Sequence, residues 1–220
     1  MVIGSAQCGG YKEINGLLEI MRKQSKRRAD QGRNSSHGRS NKHSTGVRGR
    51  ARMADESELE ALLAGVEQPL ILILDSLQDP HNLGACIRSA NAAGADAVIM
   101  PRDRAVGVTD TAMKVSCGGA SETPLFRVKN LARTIDLLKQ LGIRVAGTSD
   151  HQGTQNLYEA DISGPIAVMA GSEEKGVRRL SMDKCDLLLS IPMAGCVPCL
   201  NVSVAVGICL FEVVRQRSLG

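Results

Sequence analysis

The sequence predicts an α/β fold, with an open and mostly parallel sheet that carries helices on both faces. The first observation is the continuous apolar run at residues 70–74, Leu-Ile-Leu-Ile-Leu, which is typical of a strand buried on both faces of a parallel sheet. The second is a strand, a helix and a strand at residues 70–100, because ~30 residues suit a βαβ unit with a right-handed crossover. The third is that strand-length apolar runs alternate with helical patterns up to the C-terminus.

The N-terminal part of the chain is predicted to differ from the rest. Residues 11–21 predict a short helix. Residues 22–52 are dominated by Gly, Ser, Asn and Arg without an apolar period, which indicates a linker or a disordered arm. Residues 55–63 predict a capped helix. The domain boundary is therefore predicted between residues 1–66 and residues 67–220.

The main domain is predicted from patterns that follow one another along the chain. Asp79 and Pro80 form a helix-start pair, and the helix that follows is rich in Ala and Ser and ends at Gly94. Residues 109–119 predict another helix, which paired glycines end, and residues 131–141 predict an amphipathic one. Strands after the first are predicted at residues 97–100, 125–128, 143–146, 166–170 and 187–191.

The C-terminal stretch is predicted to be a strand, a polar loop and a long helix. The strand breaks at Pro192 and Gly195. Asn201 is placed in the first turn of the helix, where its amide can bond free backbone groups or a ligand. This layout favours a cofactor or catalytic site, although many α/β proteins share it. The apolar face of the helix is predicted at Leu200, Val204, Ile208, Phe211 and Val214.

The basic charge is concentrated in one segment. The formal net charge is +4, yet residues 22–52 hold eleven Lys and Arg side chains and one acid, Asp30. Such a run favours binding to a phosphate backbone, which is salt-sensitive and largely blind to sequence. The alternative is a solvated, disordered tail. Both interpretations hold if the segment becomes ordered only when it binds RNA.

Composition argues against several classes of protein. No stretch of about 18 apolar residues is present, so no transmembrane helix is expected. The start Met-Val-Ile-Gly-Ser lacks the basic and then apolar pattern of a signal peptide. Seven cysteines, scattered mostly in apolar contexts, indicate reduced thiols in a cytosolic protein. No Cys and His spacing indicates a zinc site, and His81 is expected to be a cap or surface residue.

A glycine-rich turn follows the strand predicted at residues 166–170, at the place where open α/β sheets bind ligands. Its pattern, Gly171-x-Glu173-x-x-Gly176, differs from the dinucleotide pattern because Glu173 stands where the second glycine would be. A carboxylate there repels a pyrophosphate, which argues against a nicotinamide or flavin cofactor and favours a cationic or neutral ligand. The alternative is an ordinary turn between a strand and a helix.

Arg88 stands out because it lies inside an Ala-rich helix. A guanidinium fork has little purpose there unless it meets a phosphate or a carboxylate. The alternative is a surface side chain or a structural ion pair.

Cys196 and Cys199 form a Cys-x-x-Cys pair at the start of the last helix. Thioredoxin-like redox sites share this spacing, since a helix N-terminus lowers the pKa of a thiol. That interpretation is disfavoured because the pair lies near the C-terminus and no β-β-α ending follows it.

Three segments, in this order along the chain, carry a resemblance to a known family. They are residues 79–94 (Asp-Pro-His-Asn-Leu-Gly-Ala-Cys-Ile-Arg-Ser-Ala-Asn-Ala-Ala-Gly), residues 171–176 (Gly-Ser-Glu-Glu-Lys-Gly) and residues 191–207, with Ile-Pro-Met and Leu-Asn-Val-Ser-Val-Ala. Together they resemble the TrmH-like branch of the SPOUT class of RNA methyltransferases, most closely its bacterial 23S rRNA guanosine 2′-O-methyltransferases. The resemblance covers residues 67–217, and its three ordered motifs make it specific.

The resemblance implies a C-terminal segment that threads through a loop to form a deep trefoil knot, which no spacing rule predicts. It implies that residues 67–220 are the SPOUT methyltransferase domain. Residues 1–66 are then a reduced N-terminal RNA-binding remnant with a basic linker, because the family carries a compact RNA-binding domain there. The family also implies a homodimer in which the pocket of one subunit borders Arg88 of the other.

The resemblance implies S-adenosylmethionine-dependent 2′-O-methylation of a guanosine ribose in 23S rRNA. The expected location is the cytoplasm, and no metal is expected. The alternatives are a tRNA 2′-O-methyltransferase of the same branch and a catalytically weak RNA-binding paralogue. Pro198 and Cys199, which stand where the family commonly has serines, suggest the latter. The residues implied to line the cofactor pocket are Gly171, Ile191 and Leu200. The residues implied to act in catalysis are Asn82, Arg88, Glu173, Cys199 and Asn201.

Overall fold

The computed structural model describes residues 49–103, 105–149, 153–171 and 176–219. The helix predicted at residues 11–21, most of the basic segment and Glu173 lie outside the described residues. The strands are β1 (Met53–Ala54), β2 (Leu70–Asp75), β3 (Ala97–Pro101), β4 (Leu125–Val128), β5 (Arg144–Thr148), β6 (Gln155–Asn156), β7 (Ile166–Gly171) and β8 (Leu187–Ser190). The helices are α1 (Leu59–Ala64), α2 (Pro80–Ala92), α3 (Asp110–Val115), α4 (Gly119–Glu122), α5 (Leu131–Gln140), α6 (Arg179–Met182) and α7 (Val202–Arg217).

In the described part of the chain, eight strands form one sheet in the order β1-β4-β3-β2-β7-β5-β8-β6. Every neighbouring pair is parallel, which confirms the predicted α/β architecture. The central strands β2 and β7 pair over their whole length, from Leu70 with Ile166 to Asp75 with Gly171. All residues of both strands are buried, which is why their sequences are apolar almost throughout and do not alternate.

Helices cover both faces of this sheet, as predicted. Leu70, Leu72 and Leu74 of β2 belong to a core cluster that includes residues of α2 and α7. Ile71 and Ile73 belong to a second cluster with residues of α1 and α5. Successive side chains of a strand point to opposite faces, so one central strand serves two separate cores.

The predicted helix at residues 109–119 is divided in two. The backbone at Cys117 (φ 50°) and Gly118 (φ 97°) is left-handed, which a right-handed helix cannot continue. α3 therefore ends at Val115 and α4 begins at Gly119. The edge strands β1 and β6 were not predicted, because strands of two residues hold no periodic pattern to detect.

The apolar face predicted for the C-terminal helix lies largely outside the core, although Ile208 packs partly against it. Val204 and Phe211 of α7 are 49% and 44% exposed. The helix carries apolar residues on both sides, so periodicity alone does not show which side packs on the protein. The apolar residues of α7 that are buried are Val202, Val206, Cys209, Leu210 and Val213.

The end of α7 is tied to the start of the two central strands by Arg217. Its guanidinium donates hydrogen bonds of 2.8–3.0 Å to the carbonyl oxygens of Gln68, Pro69, Ser163 and Gly164. Burial lowers the pKa of this guanidinium from its ordinary value. The four carbonyls precede β2 and β7, so one side chain holds three parts of the chain together.

Replacing Arg217 with Met is expected to lower the free energy of unfolding by about 2–3 kcal/mol, because the carbonyls lose their donors while the apolar stem is kept. Urea unfolding followed by circular dichroism measures this. The control is Arg133→Met on exposed α5 surface, which is expected to change the free energy by less than ~0.5 kcal/mol. Equal stability of the two variants would show that water replaces Arg217 at no cost.

Candidate functional site

The carboxyl ends of the parallel strands define one edge of the sheet, where open α/β proteins bind ligands. β2 ends there at Asp75, β7 at Gly171 and β8 at Ser190. All three segments of the family resemblance begin just beyond these strand ends or at the last residue of β7. The candidate site is therefore built from the segments that leave β2, β7 and β8 at this edge.

Asn82 and Asn201 meet at this edge although 119 positions separate them in the sequence. The side-chain nitrogen of Asn201 donates a hydrogen bond of 3.0 Å to the side-chain oxygen of Asn82. Asn82 lies in the first turn of α2, whose N-cap Asp79 accepts hydrogen bonds from the first turn. Asn201 is the N-cap of α7 and accepts from the backbone nitrogen of Ser203 at 2.9 Å. The capping geometry of two helices thus brings two amide side chains together.

Gly171 lies where no side chain can fit. A Cβ on this residue would be 1.9 Å from the carbonyl carbon of Gly176 and 2.1 Å from the backbone nitrogen of Val177. The backbone of Gly176 and Val177 therefore passes directly over the end of β7. This close approach of two backbones explains the glycine and leaves backbone groups, not side chains, at the strand end.

The structure shows a buried charge here that the sequence patterns did not predict. Asp75, the last residue of β2, is fully buried and accepts hydrogen bonds from Arg178 through its Nε (2.7 Å) and its backbone nitrogen (3.2 Å). The hydroxyl of Ser76 donates a third bond of 3.0 Å. A buried carboxylate needs such partners, so this pair anchors the chain that returns past Gly171. The only sequence signal was an acid that ends an apolar strand.

Arg88 is exposed on α2, six residues beyond Asn82. At ~100° per residue, the two side chains point ~120° apart around the helix. Arg88 has no ion pair or side-chain hydrogen bond within the part of the chain that the structure describes, so the predicted alternative of a structural ion pair finds no partner there. The structure does not bring Arg88 to the amides of Asn82 and Asn201.

The loop between β8 and α7 is exposed from Pro192 to Cys199. Ile191 before it packs partly against the core beside α2 and α7, and Leu200 after it is half-buried. Cys196 and Cys199 are exposed free thiols. Residues 191–200 contain no charged side chain. This surface of backbone and apolar groups fits a nucleoside with a cationic reactive group better than a polyphosphate, which would require cations.

The described residues contain no group of three His, Cys, Asp or Glu side chains that could hold a metal ion. His81 is exposed, and its backbone nitrogen donates to the cap residue Asp79. None of the helices in the described ranges is long and apolar enough to cross a membrane.

Comparisons with known proteins agree on one family. Residues 69–211 match the SpoU rRNA Methylase family. The 23S rRNA (guanosine-2′-O-)-methyltransferase RlmB of Photobacterium profundum is 53% identical over 169 residues, which cover 77% of this chain and 69% of that protein. The RlmB protein of Escherichia coli K12 is 53% identical over 167 residues, which cover 76% and 68%.

Solved structures of related proteins share the fold. The SpoU methyltransferase AviRb from Streptomyces viridochromogenes, in complex with AdoMet, matches with a TM-score of 0.66 at 30% identity, over 70% of this chain and 63% of that one. An AdoMet-bound rRNA methyltransferase from Sinorhizobium meliloti matches with a TM-score of 0.64 at 30% identity, over 69% and 57%. The chain thus spans less than two thirds of the length of these two solved proteins.

Proposed function

Because the chain belongs to the SpoU rRNA methylase family, we propose that it transfers a methyl group from S-adenosylmethionine to the ribose 2′-hydroxyl of a guanosine in 23S rRNA. The observation that carries the proposal is the hydrogen bond between Asn82 and Asn201. It joins the first and third segments of the resemblance at the carboxyl edge of the sheet. A methyl transfer needs both reactants held at one such place.

S-adenosylmethionine, when bound, supplies an electrophilic methyl group on a sulfonium ion. We assign its binding to backbone groups at Gly171, Ile191 and Leu200. Support comes from the uncharged loop at residues 191–200 and from the bare backbone at the end of β7. The ion pair between Asp75 and Arg178 then fixes the chain that passes the same end of β7.

Asn82, Arg88 and Asn201 are assigned to the RNA. A ribose hydroxyl is a weak acid, so the site must stabilise the oxyanion that develops as its proton leaves. Guanidinium stays protonated below pH ~12, so Arg88 is assigned to binding the target phosphate and stabilising negative charge, not to removing the proton. Asn201 adds a hydrogen bond at the same place. Glu173 is assigned on the resemblance alone to holding the site or the nucleotide.

The protein is proposed to act as a homodimer that buries the outer face of α7. Val204 and Phe211 on this face are large, apolar and nearly half-exposed. Exposed apolar surface of this kind is typical of protein interfaces. Arg88 points ~120° away from Asn82 around α2, which supports its use in the pocket of the partner subunit.

Replacing Phe211 with Asp is expected to weaken the dimer by at least ~100-fold, because an aromatic side chain near the centre of an interface contributes much of its affinity. Sedimentation velocity across a concentration series measures this. The matched control is Tyr158→Asp, since Tyr158 is an equally exposed aromatic residue (50%) far from α7 in the sequence. A Phe211→Asp variant that dimerises like the control would contradict an interface on this face.

Four finer features are proposed. A C-terminal trefoil knot is supported by the course of α7, which follows β8 but packs with α2 and reaches the starts of β2 and β7 through Arg217. Residues 67–220 are proposed to be the methyltransferase domain. The basic segment within residues 1–66 is proposed to bind RNA backbone, and the cytoplasm is the proposed location.

Cys199 stands where the family places a serine, two residues before the Asn201 cap. A neutral thiol is a weak hydrogen-bond donor, so it orients a hydroxyl poorly. Cys199→Ser is expected to raise turnover about ten- to a hundredfold, the value of one good bond in a transition state. Cys199→Ala is expected to change turnover little, and Cys117→Ser, at another exposed thiol, is the control. A slower Cys199→Ser enzyme would mean that the thiol itself is needed.

The proposed function is tested with the full chain, S-adenosylmethionine labelled in its methyl group, and unmodified 23S rRNA and tRNA as separate substrates. Digestion to nucleosides and mass spectrometry identify the product. The expected product is 2′-O-methylguanosine in 23S rRNA. Label in tRNA would instead support the alternative substrate, and RNA binding without transfer would support a binding-only paralogue.

A further inference from the structure

A surface groove opens on the face of the sheet opposite to α2 and α7. It has a volume of about 330 Å³ and lies between the ends of β3 and β4, the start of α5 and α6. Asp75 shares with Ile71 and Ile73 the side of β2 that faces this half of the protein. None of the described residues assigned above to contact S-adenosylmethionine or RNA lines the groove. Arg178, which does line it, was assigned above only to anchoring the chain beside the end of β7. Because β2, β3 and β4 are parallel, it opens near the same carboxyl edge as the candidate site.

Arg178 lines the groove, and the buried carboxylate of Asp75 holds its guanidinium in place. Its Nε donates to a carboxylate oxygen of Asp75 at 2.7 Å, and its backbone nitrogen donates to the other at 3.2 Å. Asp75 is fully buried, whereas 38% of the Arg178 side chain is exposed. The two terminal nitrogens of Arg178 bond to no described residue. The buried carboxylate thus fixes the guanidinium before a ligand arrives, which reduces the entropy lost on binding.

Lys129 supplies a second cation to the groove. Its side chain is exposed and has no ion pair within the described ranges, while its backbone nitrogen donates to Glu56 at 3.2 Å. Asp103 is the carboxylate among the lining residues that lacks a paired cation. Two of the lining side chains are therefore cations and one is an acid. Exposed Arg102 and Arg179 neighbour lining residues in the sequence, while the acids Asp55 and Glu56 lie near Lys129.

We propose that the groove is a subsite for a phosphodiester of RNA, on the strand that carries the target nucleotide. The proposal rests on the proposed function, and it adds a contact on the face of the sheet away from Asn82 and Asn201. A preorganised guanidinium and a lysine suit a phosphate, since a guanidinium edge offers two parallel donors. A strand that crosses the carboxyl edge of the sheet would reach both places.

Free phosphate offers the same negatively charged group as an RNA phosphodiester. Leu180, an apolar residue of the groove, favours RNA over free phosphate. Leu180 lines the groove with 79% of its surface exposed. An apolar side chain beside two cations suits the sugar and base of a nucleotide and gives nothing to an inorganic ion. RNA is therefore the occupant to which the geometry points.

The test measures the affinity of a fluorescent, single-stranded, mixed-sequence RNA oligonucleotide for the full chain at several salt concentrations. Lys129→Ala is expected to weaken binding roughly tenfold, as for loss of a hydrogen bond to a charged group. It is also expected to reduce the slope of log affinity against log salt by ~0.7, the value for one contact on single-stranded nucleic acid. Arg178→Lys is expected to weaken binding as well, because a lysine that pairs with Asp75 leaves no fork for the phosphate.

The control is Lys139→Ala, which removes the same charge from the far end of α5, where the ammonium group pairs with Asp186 at 2.7 Å. It is expected to keep the affinity and slope of the natural protein, and melting temperatures verify that all variants fold. Inorganic phosphate, titrated at constant ionic strength, separates the two sources of phosphate. If it stabilises the natural protein but not Lys129→Ala while both bind RNA equally, the groove is a phosphate site and the proposal is wrong.

Methyl transfer to 23S rRNA, measured in parallel, separates this proposal from the proposed function. The expected change for Lys129→Ala is a higher KM for RNA with an unchanged kcat. If the natural protein methylates RNA and Lys129→Ala binds RNA like Lys139→Ala, the subsite is refuted and the function stands. If the natural protein methylates no RNA but Lys129→Ala still loses affinity, the function fails and the groove remains an RNA site.

Discussion

Replacing Arg88 with Ala is expected to reduce methyl transfer to 23S rRNA roughly 10²–10³-fold, the range seen when one donor to a developing oxyanion is removed. Affinity for S-adenosylmethionine is expected to change only a few fold, because Arg88 is assigned to RNA and not to the cofactor. Its side chain is exposed and has no partner within the described residues, so the substitution leaves no buried group unpaired. Single-turnover rates and calorimetry with the cofactor measure the two effects separately.

Two further variants sharpen this result. Arg88→Lys is expected not to restore activity, because an ammonium group lacks the planar fork that grips a phosphate. Arg133→Ala removes an exposed arginine from the opposite layer of helices and is expected to keep full activity. Equal loss of cofactor binding and turnover in Arg88→Ala would contradict the assigned role.

Replacing Gly171 with Ala is expected to abolish cofactor binding at ordinary concentrations. The new Cβ would lie 1.9 Å from the carbonyl carbon of Gly176, a backbone atom that cannot move without its neighbours. Overpacking of this kind costs about 1–3 kcal/mol or more and shifts the backbone. The shift falls on the returning chain, so affinity for S-adenosylmethionine is expected to drop at least ~100-fold, together with a lower melting temperature.

The matched control for this substitution is Gly65→Ala. A Cβ there meets nothing within 4 Å, and the residue has a negative φ of −92°, so Ala is tolerated or slightly stabilising. Calorimetry on both variants decides the matter. A Gly171→Ala protein that binds the cofactor like Gly65→Ala would show that the backbone at Gly176 and Val177 can shift without loss of the site.

The central sheet was predictable because its strands are buried on both faces. Residues 70–74 and 166–170 are apolar for a reason that acts locally, and the structure places them side by side as β2 and β7. The outer strands β1 and β6 arise only from pairing with neighbours. The break between α3 and α4 at Cys117 was not predicted either. The left-handed backbone of this cysteine is maintained only by the surrounding fold.

The face of α7 shows the limit of periodic patterns. Both sides of this helix are apolar, and one of them is left exposed in the single chain. The pattern at Val204 and Phe211 was real, but it marks the outer side of the helix. In the proposed dimer the partner subunit covers the outer face of α7, which explains why this helix carries two apolar faces.

The site was only partly accessible from the sequence. The family resemblance named Asn82 and Asn201, and no spacing rule shows that residues so distant share a hydrogen bond. The clamp of Asp75 by Arg178 was missed, because ion pairs across 103 positions have no local signature. Glu173 lies outside the described residues, and its role stays a prediction.

Ribose methylation mapped across the RNA of cells tests the central claim most directly. The cells lack this gene and carry either the natural protein or Arg88→Ala on a plasmid. We predict that one guanosine of 23S rRNA loses its 2′-O-methyl group in the deletion strain. The natural protein restores it and Arg88→Ala does not. Unchanged 23S rRNA methylation in the deletion strain, or a loss confined to tRNA, would contradict the proposed function.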